Sequence, residues 1–572
     1  MLASAPGLGP STWRRGACPG QQCRTGGAGR PAAPGEDRWS LPAGLCAAAA
    51  TGLCLRSRRA DTTSSRCALP CHAPRRMSAA WGLHAVADSR HPLPRAPAVA
   101  AAPAGAEGRA TAADTGMPFL EDPRALDEQV LALALPALVA LCAEPVLSII
   151  DAGFVGRLPD PALALGGLGV ATTVFDFVFR CYNFLCVVTV PLVAQAVVAQ
   201  RRGDLDAPDP AAITGRAIGL AASLGVATWA SLTWGAPLAL QLAGAAPGSE
   251  LGRIAETYLQ IRAAALPASL VNTVAVGAFR GQLDTATPLR VVLLQTGANV
   301  LLDALLVFGS EGLGVPSLGV EGAALATAAS IWLSCAAFCF QLSSRGLVAW
   351  EAALAWPSAL AELKPLVEGS LAQLLRTLSL QAVLLQFTRT VVALDGSGVA
   401  AAAHQVALRV WFFALFALDS VAVAAQAMLP MAFASGGADR ARWVSTRLLL
   451  WGFGGGVMTG VLLSAGEAII PAAFTDNANV QTTARPLIGL LAALQPLAGL
   501  VFTWDGMFQG LTDYTYLAVA MALSAVGTLA ILQLDGLSSS LEGVWVCFSI
   551  FLVLRAAGLA YRFWGLGPLS VE

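Results

Sequence analysis

Twelve apolar stretches, each long enough to cross a lipid bilayer as a helix, occupy most of this 572-residue chain. Hydrophobic residues make up 56% of the sequence and charged residues only 12%, so soluble domains could not bury its apolar surface. We therefore predict an all-α integral membrane protein with twelve transmembrane helices. The stretches lie at about 131–155, 164–190, 212–236, 257–279, 288–309, 319–341, 366–393, 399–429, 444–465, 486–508, 515–534 and 543–564.

One segment of the chain occurs twice. The stretch from Ala264 to Asp284 aligns without a gap with the stretch from Ala493 to Asp513. The alignment pairs Pro267 with Pro496, Gly277 with Gly506, Phe279 with Phe508, Gly281 with Gly510 and Asp284 with Asp513. A shorter echo sets Ala194-Gln195-Ala196 against Ala425-Gln426-Ala427 at nearly the same spacing. The repeat predicts two related six-helix lobes facing each other across a cleft, the arrangement that secondary transporters use for alternating access.

The chain divides into four regions on this interpretation. Residues 1–115 are rich in Ala, Pro, Gly, Ser and Arg and poor in acids, which is typical of a disordered organelle transit peptide, with a disordered cytosolic tail as the alternative. Residues 116–345 form the first lobe, 346–365 a linker and 366–572 the second lobe. The leader predicts a plastid envelope protein, or else one of the mitochondrial or another organelle membrane.

Loop charges predict the orientation of the helices. If the first span begins on a side that we call side A, most loop arginines and Lys364 fall on that side. By the positive-inside rule, side A is the cytoplasm-equivalent side and holds both ends of the chain. An even number of spans is then required, which agrees with twelve.

Carboxylates stand inside the first span. Glu144, Ser148 and Asp151 are spaced by four and three residues and therefore share one helical face, next to Pro145. A charge within a bilayer is costly, so such a residue indicates a partner, an aqueous cavity or a function. We interpret Glu144 and Asp151 as candidates for ion coupling near a proline that can kink the helix. The alternative for Asp151 is a helix-end position at the membrane surface.

Further polar groups interrupt the other spans. In the second span, Asp176, Arg180 and Asn183 share a face, and we expect Asp176 and Arg180 to pair with each other. Arg409, Phe412, Phe416 and Asp419 form a stripe on the eighth span that could line a cavity for a flat organic molecule, although aromatic residues at helical spacing also suit a core. Arg376, Arg389, Asn272 and Asp505 complete the set.

Motifs of enzymes are missing from the sequence. It contains no GxxxxGK[ST] loop, no HExxH and no nucleophile elbow, and the cysteines within the spans lack the spacing of metal ligands. We expect no enzymatic activity, no cofactor, no metal and no nucleic acid partner. Transport would then be driven by an ion gradient or run downhill. A small molecule and the lipid bilayer would be the partners of a monomer.

Several short motifs together resemble the multidrug and toxic compound extrusion (MATE) family, in its DinF-like branch and its plastid-targeted plant and algal members. The resemblance covers about 125–565. Its markers are Leu135-Pro136, Ile150-Asp151, Val155-Gly156-Arg157-Leu158, Gly166-Gly167-Leu168-Gly169, Ala278-Phe279-Arg280-Gly281, Asp284-Thr285, Thr287-Pro288, Gly319-Val320-Glu321-Gly322-Ala323-Ala324, Ala402-Ala403-His404-Gln405 and Trp504-Asp505-Gly506-Met507.

The resemblance implies a twelve-helix antiporter that exports organic compounds against protons or sodium. It implies ion coupling at Asp151 with Asn272 as its neighbour, and Val276 stands where some sodium-binding members carry a second acid. A proton therefore suits this chain better than sodium, because a metal ion needs more oxygen ligands. In the second half, Asp505 occupies the position that corresponds to Val276. A coupling site in the second lobe is therefore an alternative.

We predict a proton-coupled antiporter for aromatic metabolites, organic anions or cationic toxins. Its substrate cavity is predicted to include Arg409, Phe412, Phe416, Asp419, Arg376 and Asn183. Another twelve-helix transporter of the major-facilitator type, a passive channel and a structural membrane protein are the alternatives.

Overall fold

The computed structural model describes residues 122–569, apart from 205, 247, 360–363, 395–396 and 535. The predicted leader at 1–115 lies outside the described residues. Fourteen α-helices form this part of the chain: α1 Pro123–Val155, α2 Pro161–Arg180, α3 Phe184–Arg201, α4 Pro210–Leu242, α5 Glu250–Ala263, α6 Leu266–Gly281, α7 Ala286–Phe308, α8 Gly319–Ser344, α9 Trp350–Leu354, α10 Lys364–Leu394, α11 Val399–Gly466, α12 Ala478–Gly510, α13 Tyr514–Leu532 and α14 Leu541–Tyr561. Within the same residues, β structure is limited to a bridge between Ser310 and Val315.

The helices provide twelve membrane spans in the described part of the chain. Ten are long and apolar enough individually, when α2 and α3 count as one span, and α5 with α6 forms an eleventh that is bent by 49°. As one continuous helix, the 68 residues of α11 would be about 100 Å long at 1.5 Å per residue, more than three times the bilayer core. Its backbone leaves helical geometry at Gly436 and Gly437, so it holds two spans, 399–435 and 438–466. The predicted all-α fold with twelve spans is confirmed.

The first span passes two prolines without a break. α1 remains helical through Pro136 and Pro145, and Asp122 caps its first turn by accepting a hydrogen bond from the Arg124 N–H. The helix starts earlier than the apolar stretch that predicts it, because Asp122 and Pro123 form a favourable helix start. Each proline removes one backbone hydrogen bond, so both remain positions at which α1 bends easily.

The turn after α6 recurs in the second lobe with the same backbone geometry. Leu283 and Thr512, which the repeat aligns, both have a φ of 61°. The N–H of the following residue, Asp284 or Asp513, donates to the carbonyl of Phe279 or Phe508 at 2.9 Å in each case. A left-handed conformation is unfavourable for residues other than glycine, so its occurrence at two aligned positions supports a true structural repeat.

An arginine holds the carboxylate of each repeated turn. Arg345 Nη1 donates to Asp284 Oδ2 at 2.8 Å, and Arg562 Nε donates to Asp513 Oδ2 at 2.7 Å. Both arginines follow the last span of their own lobe. Burial raises the pKa of Asp284, but hydrogen bonds from Thr287 and Arg345 outweigh it and hold the pKa below its ordinary value of 3.8. These ion pairs tie the fourth span of each lobe to the sixth.

Glycines make equivalent helix contacts in the two lobes. A Cβ on Gly225 of α4 would lie 2.5 Å from Pro267 Cα, and a Cβ on Gly456 would lie 2.8 Å from Pro496 Cα. In both lobes the third span therefore crosses the fourth at a proline that the sequence repeat aligns. Close backbone contact between helices through small residues is typical of membrane proteins.

The shorter sequence echo does not follow this structural repeat. A Cβ on Gly281 would lie 2.8 Å from the Val190 carbonyl oxygen, and a Cβ on Gly510 would lie 2.8 Å from the Gln426 carbonyl oxygen. Val190 is thus the counterpart of Gln426, whereas the echo of Ala-Gln-Ala assigns Gln195. That assignment is wrong by five positions, because a tripeptide of common residues recurs by chance in helices of this composition.

Candidate functional site

Two carboxylates meet in the first lobe around one amide. Asp151 comes from α1, and Asn299 and Asp303 come from successive turns of α7. With its nitrogen oriented toward the acids, Asn299 donates to Asp151 Oδ1 and to Asp303 Oδ2, each at 2.9 Å, and its oxygen accepts from the Thr327 N–H at 3.2 Å. This orientation is the one in which the amide faces complementary groups. We call these residues, Asp151, Asp303, Asn299 and Thr327, the carboxylate pair site.

The carboxylate pair site is closed to solvent. Asp151 is 7% exposed, and Asp303 and Asn299 are 0% exposed. Two negative charges that share one donor in a buried site repel each other, and a proton on one carboxyl removes that repulsion. Asp151 therefore lies inside the lobe against α7, close to the end of α1 at Val155.

Sequence reasoning missed Asp303 and Asn299. The two residues are four positions apart in α7 and therefore share one face of the helix. Asp303 is also the one charged residue between Arg290 and the end of α7. The pattern that indicates Glu144 and Asp151 in the first span was present here as well.

Asn272 has other partners than the resemblance implies. Its Nδ2 donates to Ser334 Oγ at 2.8 Å and lies 3.4 Å from the Ile331 carbonyl oxygen, both in α8. The structure thus connects Asn272 to α8, and the amide that contacts Asp151 is Asn299. Val276, one turn after Asn272, packs among apolar side chains at the boundary of the lobe.

Glu144 shares its surroundings with an arginine that sequence reasoning also missed. The side chain of Glu144 is exposed on α1 and interacts electrostatically with Asp176, Arg262 and Arg180. Arg262, in α5, lies 4.5 Å from the ring centre of Phe175 and interacts with Asp151 as well. The bend between α5 and α6 follows shortly after Arg262. Arg262 therefore lies at the break in this span, where it interacts with Glu144, Asp151 and Asp176.

The expected pairing of Asp176 with Arg180 is wrong. Among the described residues no ion pair joins them, and Asp176 interacts with Arg262 instead. Both residues lie within α2, so the helical spacing is present, but Arg262 from a neighbouring helix interacts with Asp176. A turn at 181–183 follows α2. Asn183 lies in that turn with its side chain exposed.

A second polar centre lies in the second lobe. Asp505 of α12 is 3% exposed. Arg376 Nη2 of α10 donates to Asp505 Oδ2 at 2.8 Å, and Arg555 of α14 donates to the same oxygen. We call Arg376, Asp505 and Arg555 the arginine centre. The partner of Asp505, Arg555, was absent from the sequence-based set of candidates.

The aromatic stripe of α11 lies beside this centre. Asp419 interacts electrostatically with Arg376, Asp505 and Arg280. Phe412 is 38% exposed and Arg409 is exposed, whereas Phe416 and Asp419 are half-buried, so exposure decreases along the stripe toward Asp419. The structure brings Arg376, Asp419 and Asp505 together, whereas Arg409 stands about three helical turns from Asp419 along α11.

Side chains join the two lobes on side A. Arg447, in the segment 438–466, donates from Nε to Asp127 Oδ1 at 2.7 Å and from Nη2 to Asp127 Oδ2, and Trp451 Nε1 also donates to Asp127 Oδ1 at 2.7 Å. Asp127 lies in the first turns of α1, so this contact crosses from one lobe to the other. We call Asp127, Arg447 and Trp451 the latch.

Further contacts also join the two lobes. Arg202 Nη2 at the end of α3 donates to the Ser435 carbonyl at 2.6 Å, and Gln426 Nε2 donates to the Val187 carbonyl at 3.0 Å. Apolar residues of α1 and α3, including Leu126 and Val198, are buried in the core cluster of the second lobe. The lobes are therefore closed together on side A in this conformation.

Breaking the latch should favour separation of the lobes on side A. The Arg447 side chain is 39% exposed, so solvent screening weakens the ion pair, and Arg447→Gln should shift the closed-to-open ratio only by about a few-fold. Cys186 is buried near the lobe interface, so its maleimide labelling rate, with other cysteines replaced, measures the shift. Arg485→Gln, at an exposed position on α12, is the control. Equal labelling in both variants would contradict a role for the latch.

Known proteins are similar to this chain over most of its length. The chain is 28% identical to Protein DETOXIFICATION 44, chloroplastic, of Arabidopsis thaliana over 448 residues, which covers 76% of this chain and 81% of that protein. It is 29% identical to DNA damage-inducible protein F of Escherichia coli over 457 residues, 76% of this chain and 91% of the relative. The family model MatE matches residues 136–305. Over these lengths the chain is similar to proteins of the MATE family.

The MATE fold is also found in solved structures. A crystal structure of MATE in the straight conformation has a TM-score of 0.66 at 18% identity, covering 78% of this chain and 96% of that chain. A structure of MATE in the bent conformation also has a TM-score of 0.66, at 17% identity, covering 77% and 95%. This likeness establishes the MATE fold and excludes the major-facilitator alternative. With the similar relatives, this fold indicates a membrane transporter.

Proposed function

We propose that this protein is a proton-coupled antiporter that exports small organic compounds, and that the carboxylate pair site carries the proton. The observation that supports this most strongly is the contact of Asn299 with both Asp151 and Asp303 in a buried site. Two acids that share one donor hold a single proton readily, since the proton relieves their repulsion. A site of this kind can alternate between two protonation states during transport.

A proton suits this site better than a metal ion. The site offers acidic oxygens from only two residues, Asp151 and Asp303, with Asn299 as their shared neighbour. Hard cations in proteins favour six or more oxygen ligands, or waters in their place. Within the described residues, no group of three or more His, Cys, Asp and Glu side chains is arranged to hold a metal. Sodium coupling is the less favoured alternative.

α1 connects the carboxylate pair site with the latch. Asp127 and Asp151 lie in the same helix, about 36 Å apart at 1.5 Å per residue, with Pro136 and Pro145 between them. In our mechanism, protonation at Asp151 and Asp303 changes the packing of α1 against α7 and bends α1 at a proline. The bend alters the first-lobe cavity, releases substrate and resets the lobes after deprotonation. Solved MATE structures in straight and bent conformations support a fold that admits such a change.

The plastid envelope is the proposed location. Several relatives with similar sequences are named chloroplastic, among them Protein DETOXIFICATION 44 and Protein DETOXIFICATION 45 of Arabidopsis thaliana. The composition of residues 1–115 agrees with a transit peptide. We further propose that the protein acts as a monomer without enzymatic activity and without a nucleic acid partner.

Reconstituted vesicles test the function. Purified protein in proteoliposomes should accumulate an organic probe when a pH gradient is imposed, and unlabelled probe on the opposite side should accelerate movement of labelled probe. Such counterflow is required of an antiporter, whereas a channel need not show it. Probe movement that ignores the pH gradient and shows no counterflow would contradict the proposal.

A further inference from the structure

The arginine centre holds more positive than negative charge. Arg376 and Arg555 donate to one carboxylate oxygen of Asp505, so two guanidinium groups share a single counter-ion. Asp419 faces the same group of charges, and so does Arg280 from the other lobe. Three arginines thus surround two carboxylates. Since Arg280 ends α6 of the first lobe, this excess charge lies where the lobes face each other.

The two arginines of the centre differ in accessibility. The Arg555 side chain is 6% exposed and the Asp505 side chain 4%, whereas the Arg376 side chain is 20% exposed. Arg555 is also fixed between two rings, with its guanidinium carbon 5.6 Å from the centre of Phe502 and 5.7 Å from that of Phe551. Arg376 is therefore the group that an incoming molecule can reach, and Arg555 is a rigid support behind it.

An uncompensated cation within a membrane protein is costly, and a bound anion removes that cost. The planar guanidinium of Arg376 matches the geometry of a carboxylate, with Nη2 engaged by Asp505 and Nε buried without a protein partner. An anionic group of similar shape could replace Asp505 as the partner of Arg376. The aromatic stripe of α11, with Phe412 exposed, offers an adjacent surface for the apolar part of the same molecule.

We propose that Arg376, supported by Arg555, is a subsite for the carboxylate or sulfonate group of an aromatic organic anion, and that Asp505 competes with this group for Arg376. The proposal rests on the proposed function and narrows its substrate class to organic anions. The first lobe then binds the proton at acids, and the second lobe binds the substrate at arginines. Asp505 is a positioning residue that holds Arg376 when no anion is present.

Two dyes that share one three-ring core test the subsite. Fluorescein carries a carboxylate and is anionic at pH 7.5, whereas rhodamine 6G carries an ester in its place and is cationic. Their dissociation constants are measured by fluorescence polarisation with the purified full-length protein in detergent. Arg376→Gln should weaken fluorescein binding by about tenfold or more, because it removes a charged hydrogen-bond partner, and should leave rhodamine 6G binding within about twofold.

Asp505→Asn gives the more decisive result. If Asp505 competes with the ligand, removing its charge should tighten fluorescein binding by several-fold, while a purely structural role would weaken it. Arg389→Gln, an exposed arginine on a different face of α10, is the matched control and should change neither dye. Arg376→Lys keeps the charge without the planar geometry and should weaken fluorescein less than Arg376→Gln, which keeps the test informative if Asp505→Asn does not fold.

Three results would overturn the subsite: no fluorescein binding to the wild type, unchanged binding in Arg376→Gln, or weaker binding in a folded Asp505→Asn. Transport under a pH gradient is measured separately in proteoliposomes with both dyes. If rhodamine 6G moves with the gradient while fluorescein does not bind, the anion subsite fails and the antiporter stands. If fluorescein binding depends on Arg376 but neither dye responds to the gradient, the proposed function fails and the subsite stands.

Discussion

Asp303→Asn is expected to abolish pH-driven exchange as completely as Asp151→Asn, down to the rate of protein-free vesicles. Either variant leaves a single acid beside Asn299, and without a second negative charge there is no repulsion for a proton to relieve. The combined variant should be no worse than each alone, because the two acids act as one unit. The measurement is dye accumulation in proteoliposomes under an imposed pH gradient.

Exchange without a gradient separates coupling from folding in these variants. Since Asn resembles a protonated Asp in size, both variants should keep counterflow at equal pH while losing accumulation. Asp160→Asn, at an exposed acid just before α2, should behave as the wild type in both assays. Wild-type accumulation by Asp303→Asn would show that this residue has no part in coupling, whatever Asp151 does.

Gly456→Ala is expected to destabilise the second lobe by about 1–3 kcal/mol. Its new Cβ would lie 2.4 Å from the Gln495 carbonyl oxygen and 2.8 Å from Pro496 Cα, both backbone atoms of α12. Only a shift of one helix against the other relieves such a contact, since no side chain can move aside. Gly452 and Gly460, one turn before and after, make similar contacts with α12, so the shift would disturb the whole crossing.

Gly454→Ala is the matched control for this prediction. A Cβ at Gly454 would have no atom within 4 Å, so the variant should be neutral or more stable, because alanine favours the helix over glycine by about 0.5–1 kcal/mol. Thermal unfolding in detergent, followed by the intrinsic fluorescence of the tryptophans, compares the variants. Equal midpoints would mean that the crossing is looser than the structure shows.

Sequence reasoning succeeded where a signal is local. The spans follow from hydropathy, and the repeated turn at Asp284 and Asp513 follows from direct alignment, which the matching φ of Leu283 and Thr512 supports. It failed where a residue's neighbours belong to another helix. Arg180 was paired with Asp176 by spacing alone, although Arg262 of α5 is an electrostatic partner of Asp176. Arg262 itself gave no periodic signal, since the span that contains it is bent.

The amino-acid sequence by itself determined that this protein is a twelve-helix membrane protein with two related halves, because apolar length and internal similarity are properties of the chain alone. The tertiary structure decided which charges meet. Asp505 is 129 residues from Arg376 and 50 from Arg555. The amide of Asn299 that contacts Asp151 belongs to α7, far along the chain from Asp151 in α1. A buried charge needs a partner, but helix packing alone selects which of many polar residues is near enough to serve.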